Sequence, residues 1–206
     1  MSKPRRQKTK SFKQSIRIIC PGLTEREYLD ALRAERYTGL TIIIEPKLGK
    51  ADKYDEIFED LRRDSSLNEP SPPSFFINDM DAIVAQSKLK QYLADKAKTI
   101  KASKGALAVI ESMPCIEFWF LLHYIYTDKY FPSYESVRAA FPKELFNYEK
   151  TQKCCSKIYP ILRDKMDKAM RNAARTMKRK ASCEGDCSYT NMHELIEKLD
   201  LMYNER

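Results

Sequence analysis

Four short runs dominated by β-branched and aromatic residues constrain what this chain can fold into: Ser15 to Cys20 (SIRIIC), Thr41 to Glu45 (TIIIE), Ser74 to Asp79 (SFFIND) and Ala106 to Glu111 (ALAVIE). Each is too short for a stable helix, and turn formers such as Pro21, Gly39 and Pro46 punctuate them, so each is expected as a strand. Between them lie segments with apolar residues at helical spacing. Glu25 to Tyr37 carries Tyr28, Leu29, Leu32 and Tyr37, and Lys53 to Arg63 carries Tyr54, Ile57, Phe58 and Leu61. Ser87 to Ser103 and the strongly apolar Cys115 to Tyr124 complete the alternation. Strand, helix, strand in this rhythm requires crossover connections, and so an α/β fold with a mostly parallel central sheet flanked by helices. Ligand sites in such sheets lie outside the carboxyl ends of the strands, which here are Cys20, Asp79 and Glu111. Thr24, with Glu27 three residues on, reads as a capping box opening the first helix.

Beyond Pro132 the pattern is helical: Tyr134 to Ala140, Thr151 to about Lys180 with a kink or break at Pro160, and Met192 to Tyr203. At 206 residues one core is expected. The organisation read from the chain is a basic flexible arm over 1–14 and a single domain over 15–206, made of an α/β core (15–125) and a helical C-terminal extension (126–206).

A hydrophobic content of 43% beside 32% charged residues excludes a disordered chain. No run of about 18 apolar residues occurs, so neither a membrane span nor a secretory leader is expected and the localisation read here is cytoplasmic. In that compartment the six cysteines are expected as free thiols. Cys183, Cys187 and His193 fall one ligand short of a structural zinc set. The net charge of +8 gathers in two places. One is the arm, with Lys3, Arg5, Arg6, Lys8, Lys10, Lys13 and Arg17. The other is a helix on which Lys168, Arg171, Arg175 and Lys178 recur every three or four residues. Such a stripe suits a phosphate backbone, whose neutralisation releases counterions, although a solvated helix face has the same pattern. Nucleic acid is the partner this implies.

The sequence Phe75-Phe76-Ile77-Asn78-Asp79-Met80-Asp81 sets two carboxylates immediately after a buried strand. On an extended chain, alternation would point Asp79 and Asp81 to one side. Held together they would repel unless a divalent cation compensated them, and hard oxygen ligands suit Mg²⁺ or Mn²⁺, ions that polarise phosphates and activate water. Asp also ends strands and caps helices for structural reasons alone.

The ordered segments CPGLTEREYLDAL, FFINDMD, ESMPCIEFWFLLHY and YTNMHELIEKL resemble the RloB-like proteins, a Toprim-fold family of bacterial defence loci. Gly22, Thr24, Glu25 and Tyr28 match the first block, and Ser112, Pro114, Glu117, Trp119, Leu121, Leu122 and His123 match the third, with His193 in the last. The resemblance implies a Toprim-like metal-dependent nuclease cleaving RNA, tRNA among it, or DNA, and working with a separately encoded partner ATPase. No P-loop pattern occurs in this chain. It implies Glu25, Asp79, Asp81 and Glu117 as catalytic residues, with Asp79 and Asp81 as ligands of Mg²⁺ or Mn²⁺. One departure stands out: Pro21 occupies the position of the family's first glutamate, and proline offers no carboxylate. Either the centre is degenerate and the chain is a catalytically silent module that binds nucleic acid or the ATPase, or the residue has been altered, or Glu25 takes the role.

Glu117 sits in an apolar helix, where a carboxylate demands a metal, a substrate or a basic partner. His123 and His193 read as proton carriers or as hydrogen-bonded core residues. Phe118, Trp119 and Phe120, three consecutive aromatics covering different helix faces, read as core before they read as a stacking platform.

Overall fold

The computed structural model describes residues 15–45, 53–66, 72–183 and 185–205. The expected basic arm over 1–14 lies outside the described residues.

All four runs form strands: β1 (Ser15–Ile19), β2 (Thr41–Glu45), β3 (Ser74–Asp79) and β4 (Leu107–Met113). They align in parallel in the order β2-β1-β3-β4. Helix α1 (Leu23–Arg36) joins β1 to β2, and α2 (Tyr54–Ser66) lies between β2 and β3. The short α3 (Asp81–Ala85) and α4 (Leu89–Ala102) lead from β3 to β4, and α5 (Ile116–Leu122) follows β4. The C-terminal part supplies α6 (Tyr134–Arg138), α7 (Gln152–Cys155), α8 (Ile158–Leu162), α9 (Met166–Ser182), a two-residue strand β5 (Tyr189–Thr190) and α10 (Met192–Asn204).

Strand alternation divides the interior into two cores. Ile16, Ile18, Phe75, Ile77 and Ile110 face α1, α5, α8, α9 and α10. Ile19, Phe76, Leu107 and Val109 face Ile57, Phe58 and Leu61 of α2, Ile83 of α3 and Tyr92 of α4. The chain therefore passes from β1 across one sheet face and returns to β3 across the other, placing a topological switch point between the carboxyl ends of β1 and β3.

Four local expectations change. The first helix opens at Gly22, with no side-chain cap, and Thr24 is buried beside Tyr148 instead of capping. The helix expected from Ser87 begins at Leu89, because Ser87 has φ of 55° and ends the preceding turn. Pro160 is tolerated inside α8, in its first turn, where the missing N–H has no intrahelical acceptor to satisfy. The extension read as helical also gives β5, antiparallel to β4.

Candidate metal centre

The end of β3 is fastened to the end of β4 by backbone bonds. Met80 N donates to Ser112 O at 3.0 Å and to Pro114 O at 2.9 Å, and Asp81 N donates to Pro114 O at 3.1 Å. Ile116 N, opening α5, donates to Asp79 Oδ1 at 2.9 Å. These bonds hold the β3 carboxylate against the start of α5, where Cys115 and Glu117 sit. One ligand atom from each of Asp79, Cys115 and Glu117 lies within 4.8 Å of the others. Ligands about 2.0–2.6 Å from an ion stand this close to one another, so the cluster has the dimensions of a single-cation site.

Glu25 joins from the switch point. It is buried at 6% exposure, and its carboxylate folds back over Gly22: a Cβ on that glycine would stand 1.9 Å from Glu25 Oε2. Its charge bears directly on Asp79. Three carboxyls thus converge where β1 and β3 end. Burial raises the Asp79 pKa well above the usual carboxylate range, and the charges of Glu25 and Glu117 raise it further. Glu25 is raised for the same first reason, with Glu117 as the neighbouring charge. Burial, then Glu117 and Asp79, raises the Cys115 thiol as well.

Glu117 is fully buried. Its Oε1 accepts from Tyr148 Oη at 3.0 Å and pairs with Lys150 Nζ at 3.2 Å, whereas Oε2 has no partner among the described residues. The Lys150 ammonium also stands 4.3 Å from the Tyr134 ring centroid. Burial opposes its charge, but Glu117, Cys115 and Asp79 together hold its pKa above the ordinary value. A buried carboxylate oxygen left unpaired beside two further acids is costly for the fold and suits a cation.

Asp81 lies differently from its expected place. Met80 adopts helical angles (φ −94°, ψ −14°), so the chain is no longer extended and alternation stops at Asp79. Asp81 opens α3, and its Oδ1 accepts from Ala82 N at 2.6 Å. Its charge reaches Asp79 only as a lesser repulsion. Glu111 is on the opposite sheet face, in register with Asn78, where it accepts from Tyr92 Oη and pairs with Lys96 and Lys180.

The α9 stripe contacts the far end of α5. Lys168 Nζ donates to Tyr124 O, and the Arg175 guanidinium stands 3.6 Å from the Tyr126 ring centroid. Arg171 and Lys178 are exposed. Asn172, between them, donates to Leu122 O at 2.8 Å. At 1.5 Å of rise per residue, that end of α5, Leu122, is about 7.5 Å along the axis from Glu117.

His123 is buried, with Nδ1 2.9 Å from Trp119 O, and burial lowers its pKa to about 4. His193 is lowered by the same cause. Phe118, Trp119 and Phe120 are fully buried core. Tyr148, Lys150 and Cys115 had escaped the sequence reading of the site. The first two lie in an irregular segment without periodicity, and only the proximity of Cys115 to Glu117 signalled the third.

Comparisons with known proteins place the chain by sequence pattern. Neither a search of curated proteins nor a search of solved structures returns a match. No helix among the described residues is long and apolar enough to cross a membrane. The family model for RloB-like protein matches residues 16–199, and the chain belongs to the RloB-like family.

Proposed function

We propose that this protein is a Toprim-like, metal-assisted phosphodiester hydrolase of bacterial antiphage defence, acting on RNA or DNA. The observation that carries the reading is the convergence of Asp79, Glu117 and Glu25 at the switch point with one ammonium, Lys150, set against three carboxyls and with Glu117 Oε2 unpartnered. Asp79 and Glu117 would hold a divalent cation, Mg²⁺ or Mn²⁺. That ion supplies charge neutralisation and polarisation of a phosphate oxygen. Glu25, buried at the switch point with its pKa raised, would take the proton-accepting role that Pro21 vacates. Asp81, partly buried at the start of α3, would approach the substrate side. Lys168, Arg171, Arg175 and Lys178 would hold the nucleic-acid backbone. Family resemblance adds tRNA as a target and a separate ATPase as a partner, and the composition adds the cytoplasm as the setting.

A second reading is a silent module that binds nucleic acid or the ATPase without cutting. Pro21 favours it, and so does the Lys150 ammonium that already pairs with Glu117.

The deciding assay incubates labelled tRNA and plasmid DNA with the purified chain, Asp79→Asn and Pro21→Glu, each with Mg²⁺ or Mn²⁺. Cleavage by the chain as it stands, reduced at least about a hundredfold in Asp79→Asn, is the expected result. Cleavage only after Pro21→Glu establishes the silent module. Retained binding with no cleavage by any form refutes the hydrolase.

A further inference from the structure

We infer that Cys115 is a metal ligand of the acidic centre, so that of the two ions proposed there Mn²⁺ is favoured over Mg²⁺, and thiophilic divalent ions are favoured more strongly still. The inference rests on the reading of that centre as a cation site and deepens it.

Cys115 Sγ is one of the three ligand atoms that lie within 4.8 Å of one another, and the side chain is fully buried. It immediately precedes α5, in extended conformation (φ −152°, ψ 172°). Burial and the charges of Glu117 and Asp79 all hold this thiol protonated, so its thiolate forms only against a cation that offsets them. The second observation is independent. Glu117, with no exposure to solvent, has one oxygen committed to Tyr148 and Lys150 and the other without any partner among the described residues. An ion bridging that oxygen, Asp79 and Cys115 would satisfy the orphaned acceptor and replace carboxylate repulsion with attraction.

The donor set then decides the metal. Mg²⁺ demands hard oxygens and binds thiolate poorly, whereas Zn²⁺ and Co²⁺ gain from sulfur and Mn²⁺ stands between them. On binding, the S–H bond of Cys115 breaks, its proton passes to solvent, and the sulfur electron pair forms the bond to the ion. No electron transfer is involved. Lys150 keeps its own pairing with Glu117 Oε1, so one carboxylate serves the ammonium with one oxygen and the ion with the other.

Co²⁺ is the probe, because thiolate ligation gives a near-ultraviolet sulfur-to-cobalt charge-transfer band that oxygen ligands do not. The full chain should show this band on titration. A Cys183→Ser/Cys187→Ser chain should keep it, which excludes that half-buried cysteine pair as its source. Cys115→Ser should lose the band and bind Co²⁺ about tenfold more weakly, with Mg²⁺ affinity changed less than about twofold. If Cys115→Ser does not fold, Glu117→Gln serves in its place, and loss of the band there supports the inference equally. Saturable Co²⁺ binding without the band, or a band surviving in Cys115→Ser, overturns the ligand role and leaves the acidic centre standing. A folded chain with no saturable binding of Co²⁺, Mn²⁺ or Mg²⁺ overturns both.

Discussion

Trp119 Nε1 donates a 2.9 Å hydrogen bond to Tyr28 Oη, joining α5 to α1 through the core. Both side chains are fully buried. Glu117 lies two residues before Trp119, and Glu25 lies three before Tyr28, so this bond sets the distance between the helices that deliver two of the acids. Tyr28→Phe removes the acceptor and leaves a buried indole N–H unpaired, which is expected to cost about 1–3 kcal/mol. Urea unfolding should show a lower midpoint with an unchanged m-value. An unchanged midpoint would mean that the indole finds another acceptor.

The approach of Glu25 to Gly22 makes a sharper case. Alanine at position 22 would set its Cβ 1.9 Å from Glu25 Oε2 and 2.5 Å from Cδ. The Glu25 side chain is buried and has little room to yield, so Gly22→Ala should lose about 1–3 kcal/mol of stability and displace the carboxylate from the centre. Thermal unfolding reports the first effect, and calorimetric titration with Mn²⁺ reports the second as weakened affinity. Wild-type values in both would show that Glu25 does not rest over this glycine.

Acid should destabilise the protein through His123. Unfolded histidine titrates near 6.5, whereas burial lowers the folded value to about 4. Between those values the unfolded state takes up a proton that the folded state refuses, so stability is lost as pH falls through the window, at up to about 1.4 kcal/mol per unit. His193, also lowered, acts in the same direction. Asp79 and Glu25 act oppositely, since their raised pKa values favour the folded state as they protonate. Comparing wild type with His123→Leu isolates the histidine: the stability difference between about pH 7 and about pH 4.5 should shrink by roughly 2 kcal/mol in the variant. Equal pH dependence in the two proteins would sink the assignment.

The strands were legible in the sequence because β-branched runs such as Thr41 to Glu45 admit no other packing, and a parallel sheet followed from the helices between them. Asp79 and Glu117 were legible as acids placed where a buried chain tolerates few, and Glu25 through the family resemblance alone. Asp81 was misplaced in direction because a periodicity of two holds only while the backbone stays extended, and Met80 turns helical. Tyr148 and Lys150 reach Glu117 across more than 30 residues of chain, and such a meeting depends on tertiary packing that leaves no local signature. Strand β5 was missed for a related reason: two residues cannot display a period.

That short strand governs how the protein can be made. Beyond β5, Asn191 continues the cover of β4: Glu111 N donates to Asn191 Oδ1, while Asn191 N and Nδ2 donate to Glu111 O and Val109 O. During translation β4 leaves the ribosome well before this patch does, and in the interval its outer hydrogen-bonding edge is open to strand addition by another nascent chain. Any product ending ahead of Tyr189 would keep that edge open permanently, so premature termination in this region is expected to yield aggregates instead of soluble fragments.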